Sequence, residues 1–131
     1  MNEVLNYLIE NPVFFIATND GDQPHVRPFG AVSEFEGKLY ICTNNKKEVF
    51  AQIKNNPKVE ISVMGKNGDW LRVVAKAIPD DRDSAREAML AANPGLNSLY
   101  KIGDGIFEVL YLEDATATFA AFGSTPKVIT F

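Results

Sequence analysis

Apolar and polar residues alternate along much of the chain, and a period of two is typical of half-buried β-strands. The clearest case places Val59, Ile61 and Val63 on one face of a segment. Turn residues such as Asp20-Gly21 separate the alternating segments. The pattern predicts strands at residues 13–19, 23–35, 38–43, 58–64, 70–78, 106–112, 115–122 and 128–131.

A helical period replaces the alternation in three short segments. In the second of them, Val49, Phe50 and Ile53 share one helical face. Each segment is followed within two residues by a proline, which disfavours helical geometry in the residue before it. The predicted helices cover residues 2–11, 45–55 and 82–92.

Strands dominate this pattern, so the sequence predicts a mainly β fold whose antiparallel sheet closes into a barrel, with short helices at its ends or gaps. A βαβ array is the alternative, although only one or two helices could serve as crossovers. We expect the first three strands to form a meander and strands 58–64 and 70–78 to form a hairpin. Pro28 and Gly30 predict an irregularity within the second strand.

Composition restricts the function. The chain has 131 residues, 46% of them hydrophobic and 23% charged, which predicts a single domain over residues 1–131. Its formal net charge of -4, with scattered lysines and arginines, argues against nucleic acid as a partner. One cysteine, Cys42, and one histidine, His25, provide neither a disulfide nor a Cys/His metal site. No basic leader or long apolar run is present, so we expect a cytoplasmic protein without membrane insertion.

The junction after the strand 38–43 is a candidate phosphate site. The predicted helix opens with Lys46 and Lys47 after the polar residues Thr43, Asn44 and Asn45. A helix N-terminus attracts anions, whereas cations in its first turn oppose the helix dipole unless an anion binds there. The alternative is that Asn44 or Asn45 caps the helix and the lysines are solvated.

Residues 27–30, Arg-Pro-Phe-Gly, are a second candidate. Pro28 has no amide donor, so neighbouring backbone groups could face a planar ligand, and Arg27 could bind a phosphate with two hydrogen bonds. An edge strand with a surface arginine explains the same residues equally well.

Three further features are weaker indications of a functional site. Trp70 and Arg72 share a strand face that suits a stacking wall or, more simply, core or dimer packing. His25 has no acidic or nucleophilic partner nearby in the sequence, so it is not assigned as catalytic. The acidic residues at 80, 81 and 83 precede a helix, which favours capping over metal binding.

The order of these segments also resembles that of a known protein family. The stretches PHVRPFG, LYICTNN and KEVFAQIKNNPKVEIS follow one another in the arrangement of the pyridoxamine phosphate oxidase-like, FMN-binding split-barrel family. The likeness is closest to its short nitroimidazole-resistance-related and general-stress branches. It covers nearly the whole chain and is strongest over residues 24–63. It implies an antiparallel split β-barrel and a homodimer that binds FMN at the subunit interface.

The resemblance also implies roles for particular residues. Many relatives carry a serine and, two positions on, a lysine where this chain has Lys47 and Val49, so Lys47 is expected to replace the missing lysine. The implied cofactor-binding residues are Arg27, Pro28 and Phe29 along the ribityl chain and ring, Thr43 and Asn44 near the ring edge and phosphate, Lys46 and Lys47 at the phosphate, Gln52 within reach of the flavin, and Trp70 and Arg72 facing the partner's flavin.

We therefore expect an FMN-dependent oxidoreductase that moves electrons between a small-molecule donor, such as a reduced nicotinamide, and a small acceptor. No side chain is assigned as catalytic. Oxidation of pyridoxamine phosphate is not expected, because the sequence ends GSTPKVITF without the Arg and His pair of those oxidases. A non-catalytic flavin-binding or haem-binding protein, deazaflavin in place of FMN, nitroreductase activity, and an interaction module without ligand remain open.

Overall fold

The alternating segments form strands and the helical segments form helices in a computed structural model that describes all residues from 1 to 131. The elements are α1 (Asn2–Glu10), β1 (Phe14–Asp20), β2 (Gln23–Phe29), β3 (Val32–Phe35), β4 (Lys38–Asn44), α2 (Glu48–Asn55), β5 (Lys58–Met64), β6 (Asp69–Asp80), α3 (Asp83–Ala92), a short 3₁₀ helix (Pro94–Ser98), β7 (Phe107–Ala121) and β8 (Lys127–Thr130).

The strands belong to one sheet in the order β2-β1-β5-β6-β7-β4-β3, and β8 pairs with β7. Every ladder is antiparallel, which confirms the predicted mainly β, antiparallel fold and leaves no βαβ unit. The predicted hairpin of β5 and β6 is present, with Ile61 opposite Val73.

The predicted meander of the first three strands is wrong. The stretch 23–35 divides at Gly30-Ala31 into β2, which pairs only with β1, and β3, which pairs only with β4. These two strands lie at opposite ends of the strand order, so the chain crosses between hairpins where the irregularity at Pro28 and Gly30 was expected. The break places the end of β2 near β4, where it helps to form a cavity.

The two strands predicted at 106–112 and 115–122 are one continuous strand, β7. Asp114 adopts a left-handed conformation with φ 51°, and the register of the β6–β7 ladder shifts between Val74 and Lys76. A bulge of this kind absorbs an extra residue without ending the pairing.

The main core contains 21 buried residues from the inner face of the sheet, α1 and α2. A second cluster of six lies under α3 and includes Tyr40, Met89 and Phe107. Helix α3 packs on β3, β4 and β7, and so the chain that follows it lies beside the end of β4. None of the helices is both long and apolar enough to cross a membrane.

Candidate functional site

A cavity of about 570 Å³ opens between the strands and the chain that follows α3. Its volume lies within the range of about 300 to 1,000 Å³ that is usual for small-molecule sites. One side, the strand wall, consists of residues 28–31, Cys42, Thr43 and Lys47. The opposite side, the helical wall, consists of residues 92–96, Leu99 and Tyr100.

The β4–α2 junction supplies the polar end of the strand wall. Helix α2 begins at Glu48, not at residue 45 as predicted, because Asn44 Oδ1 accepts a hydrogen bond of 3.0 Å from the Lys46 amide and forms a turn. Lys46 and Lys47 therefore precede the first helical turn. Lys47 is the N-cap residue and no side chain caps the helix, so the predicted cap by Asn44 or Asn45 is also wrong.

Thr43 lies in this wall with only 4% of its surface exposed. Its hydroxyl is buried and has no hydrogen-bond partner within the chain. An unpaired buried hydroxyl costs about 1 to 3 kcal/mol. The other such hydroxyl, Ser33, lines a smaller cavity of about 280 Å³ against α1.

Arg27 extends from β2 across β1 toward α2. Its guanidinium donates to Thr18 Oγ1 at 2.8 Å and to Gln52 Oε1 at 2.9 Å. Thr18 also donates to the same Gln52 oxygen at 2.6 Å, so the amide oxygen of Gln52 accepts two hydrogen bonds. Burial lowers the pKa of Arg27, and the negative charge of Glu48 opposes that change.

Arg27 is the one arginine without a carboxylate partner. Arg72 pairs with Glu60, Arg82 with Glu36 and Asp80, and Arg86 with Asp81, Asp83 and Glu108. A half-buried cation is normally paired, because removing it from water is unfavourable. Lys47, which lines the cavity and also has no carboxylate partner, makes the strand wall suitable for an anion, and the Arg27 guanidinium adds a second positive charge on the strand that leads to Phe29.

The helical wall was not assigned any role from the sequence. Leu96, Leu99 and Tyr100 lie in a stretch without a clear period, so pattern analysis gave no signal for them. The 3₁₀ helix after Asn93 turns the chain back over the cavity, and the Tyr100 ring stacks on Phe107 with ring centres 4.7 Å apart.

The cavity contains few groups that titrate. Cys42, Lys47 and Tyr100 line it, and no carboxylate or imidazole does. Burial raises the pKa of the Cys42 thiol to about 12, although the charge of Lys47 opposes this, so the thiol is protonated at neutral pH. His25 lies outside the cavity. Contrary to the expectation that it has no acidic neighbour, its Nε2 atom is 3.6 Å from Asp20 Oδ2 at the β1–β2 turn.

The structure thus brings together part of the residue set proposed from the sequence. Four of its members, Pro28, Phe29, Thr43 and Lys47, line the cavity. One more, Asn44, donates to the hydroxyl of the lining residue Tyr100. Arg27 and Gln52 are hydrogen-bonded to each other and do not line the cavity, and Lys46, Trp70 and Arg72 do not line it either.

Trp70 and Arg72 point outward from β6. The Trp70 ring meets Phe122 edge to face at 5.2 Å, and Arg72 donates to Glu60 at 3.0 Å. Neither contact involves the cavity, so any role at a flavin would have to be toward a second chain.

The acidic residues before α3 serve a purpose that the sequence analysis did not predict. Asp80 accepts hydrogen bonds from Arg82 and, at 2.7 Å, from the Tyr40 hydroxyl, while Asp81 and Asp83 bind Arg86. Arg82 is the N-cap residue, and no side chain caps the helix, so the capping prediction is wrong. No group of three or more His, Cys, Asp or Glu side chains is arranged to hold a metal ion.

Comparison with known families and structures assigns the fold. Residues 1–104 match the sequence profile of the pyridoxamine 5'-phosphate oxidase family. The chain belongs to this family. The structure also superposes on a NimC/NimA family protein from Clostridium acetobutylicum with a TM-score of 0.97 and 47% identity, covering 100% of this chain and 92% of that one.

More distant structures share the fold alone. General stress protein 26 from Bacillus anthracis has a TM-score of 0.78 at 17% identity, covering 99% of this chain and 97% of that one. An FAD-binding protein from Mesorhizobium loti has a TM-score of 0.61 at 19% identity, covering 92% and 94%. A search of proteins with curated function finds no match. The antiparallel split β-barrel predicted by the resemblance is confirmed.

Proposed function

We propose that this member of the pyridoxamine 5'-phosphate oxidase family is an FMN-dependent oxidoreductase that acts as a homodimer. It would pass electrons between a small-molecule donor, such as a reduced nicotinamide, and a small acceptor. The observation that carries the proposal is a cavity whose strand wall combines the aromatic ring of Phe29 with Lys47, a cation that has no carboxylate partner. A second such cation, Arg27, lies two residues before Phe29 on β2.

The residues present fit FMN in both of its parts. Phe29 on the strand wall offers an apolar surface for a planar ring, and Thr43 with Lys47 offers a polar, positively charged end for a phosphate. Bound FMN would supply reversible hydride and single-electron chemistry. The chain's own residues would bind the phosphate, orient the ring and exclude water from it.

The departure at Val49 is accommodated by this geometry. Val49 is buried, with 3% of its surface exposed, and belongs to the main core, so its position on α2 is used for packing. Lys47 precedes the helix and lines the cavity instead. We infer that Lys47 takes the phosphate-binding role expected for a lysine two positions later.

The outward face of the sheet supports the homodimer. Register places Phe15 opposite Ser62, Ser62 opposite Arg72, and Met64 opposite Trp70, so these residues share one surface. On it Phe15 is 47% exposed and Met64 is 69% exposed. Exposed apolar side chains that adjoin one another mark interfaces. A second copy on this face would also bring its Trp70 and Arg72 toward another chain.

The visible absorption spectrum tests the cofactor. We expect the protein to retain about one FMN per chain, as isolated or after incubation with FMN and desalting. A colourless protein that shows no FMN binding in an equilibrium titration would overturn the proposal. Light scattering at micromolar concentration should give twice the chain mass of 14.5 kDa, and a monomeric mass would remove the homodimer.

A binding protein that holds a flavin or haem without turnover is the second candidate. Haem requires an axial ligand such as His, Met, Tyr or thiolate. Neither His nor Met lines the cavity, which leaves Cys42 and Tyr100 as axial ligands. Burial raises the pKa of the Cys42 thiol, which disfavours the thiolate form and therefore favours flavin over haem. NADH or NADPH consumption by the FMN-loaded protein above that of free FMN would support the enzyme, and its absence with a range of acceptors would support the binding protein.

A further inference from the structure

Tyr100 is a fixed part of the helical wall. Its ring stacks on the buried ring of Phe107 with an interplanar angle of 20°, and its backbone amide donates to Leu96 O at 2.9 Å. These contacts hold the phenol against the cavity. Its hydroxyl therefore has a defined position rather than a freely rotating one.

The hydrogen bonds of that hydroxyl determine the direction of its proton. Asn44 Oδ1 accepts from the Lys46 amide at 3.0 Å, which assigns the orientation of the Asn44 side chain. Asn44 Nδ2 then donates to Tyr100 Oη at 3.1 Å. Because Tyr100 Oη is the acceptor in this bond, its own proton is available, and it donates to no other group of the chain. A donor is thus available on a residue that lines the cavity.

The surroundings restrict the group that this donor would meet. Leu96 and Leu99 flank Tyr100 on the helical wall, and the single cation that lines the cavity, Lys47, belongs to the strand wall. No carboxylate lines the cavity, so a positively charged ligand would gain no partner there. An apolar wall with one neutral donor favours a flat, uncharged molecule with a carbonyl oxygen.

We propose that Tyr100 is a specificity-determining residue that donates a hydrogen bond to the carbonyl oxygen of an uncharged, planar, quinone-like substrate. That this molecule is a substrate rests on the proposed function, whereas the hydrogen bond from Tyr100 does not. Asn44 is a positioning residue, since it directs the Tyr100 proton into the cavity.

Binding without turnover tests this inference. The dissociation constant of 1,4-naphthoquinone would be measured by calorimetry on the protein as isolated, with no electron donor, for the natural chain and for Tyr100→Phe. Loss of one hydrogen bond should weaken binding about five-fold to ten-fold. Naphthalene, which has the same rings and no carbonyl, should bind both proteins equally. Tyr111→Phe, which removes a hydroxyl outside the cavity, is the matched control and should leave both affinities unchanged.

The comparison of the two ligands separates hydrogen bonding from packing. An equal loss for naphthoquinone and naphthalene in Tyr100→Phe would mean that Tyr100 only packs, and it would overturn the inference. So would an unchanged naphthoquinone affinity, or no naphthoquinone binding to the natural chain. FMN retention is measured on the same samples. A protein without flavin that still shows the naphthoquinone preference would lose the proposed function and keep the role of Tyr100.

Discussion

Two strand-to-helix junctions of this chain use charged residues in opposite ways. At the β6–α3 junction, Asp80 binds Arg82 and the Tyr40 hydroxyl, and Asp81 and Asp83 bind Arg86, so the charged groups there have partners in the chain. At the β4–α2 junction, Lys47 has no carboxylate partner and the Thr43 hydroxyl has none of any kind. Both junctions carry consecutive polar or charged residues in the sequence.

The difference separates structural charges from functional ones. A paired network has already gained its interaction energy on folding, so its loss should reduce stability. Unpaired groups beside a cavity gain their partner only when a ligand binds, so their loss should reduce affinity and leave stability nearly unchanged. Variants of the two junctions should therefore give opposite results in stability and binding measurements.

The largest effect is expected for the double variant Arg27→Ala, Lys47→Ala. Each removed cation costs a charge-assisted contact with the phosphate, so the dissociation constant for FMN should rise about 100-fold or more. Quenching of FMN fluorescence measures it. Lys66→Ala, an exposed lysine in the β5–β6 turn, is the control and should bind FMN normally. Full FMN affinity in the double variant would contradict the site assignment.

The second effect concerns stability. Asp80→Ala leaves Arg82 and Tyr40 without their buried acceptor, which should lower the free energy of unfolding by about 2 kcal/mol in urea titrations. FMN affinity should stay the same. Glu36→Ala removes the exposed partner of Arg82 and should cost less than about 1 kcal/mol. A loss of FMN affinity in Asp80→Ala equal to that of the double variant would erase the contrast between the junctions.

The pH dependence of the unfolding free energy tests the stabilising role of Asp80 at the β6–α3 junction. Hydrogen bonds from Arg82, and then from Tyr40, hold the pKa of Asp80 below its usual value near 3.9. A lowered folded-state pKa stabilises the fold fully above the unfolded value, and that stabilisation is lost as the pH falls below it. Unfolding free energies measured from about pH 6 to about pH 2 should fall less steeply in Asp80→Asn than in the natural chain. Parallel curves would show that Asp80 does not contribute.

The smallest effect is expected at Lys46. This lysine lies in the turn before α2 and does not line the cavity, whereas its neighbour Lys47 does. Lys46→Ala should change the dissociation constant for FMN by less than about two-fold, and Lys47→Ala by about ten-fold. The same titration measures both, and equal losses would place the phosphate between the two lysines.

Local pattern was sufficient for the secondary structure and insufficient for strand pairing. The alternation through Val59, Ile61 and Val63 predicted β5 correctly, because period and burial coincide there. The meander failed because β2 and β3 pair with different strands, and pairing depends on contacts that local sequence does not encode. Two predicted strands form the single strand β7, because Asp114 between them adopts a left-handed conformation within the ladder. The residue type at this position did not indicate that the pairing continues.

The candidate site was likewise predicted only in part. Phe29, Thr43 and Lys47 were predicted because they lie in sequence motifs next to strand ends, and they line the cavity. Tyr100 was missed because it follows an irregular stretch, and only the fold brings it to Asn44, 56 positions earlier in the chain. A residue that reaches the site only through the tertiary fold cannot be identified from the sequence pattern around it.

The central claim is that the β4–α2 junction and Arg27 bind the phosphate of a flavin. It is tested most directly by comparing the affinities of the natural chain for FMN and for riboflavin, which lacks the phosphate. We predict that FMN binds at least about 30-fold more tightly, and that the ratio falls toward one in Arg27→Ala, Lys47→Ala. Equal affinities of the natural chain for the two flavins, or no affinity for either, would contradict the account.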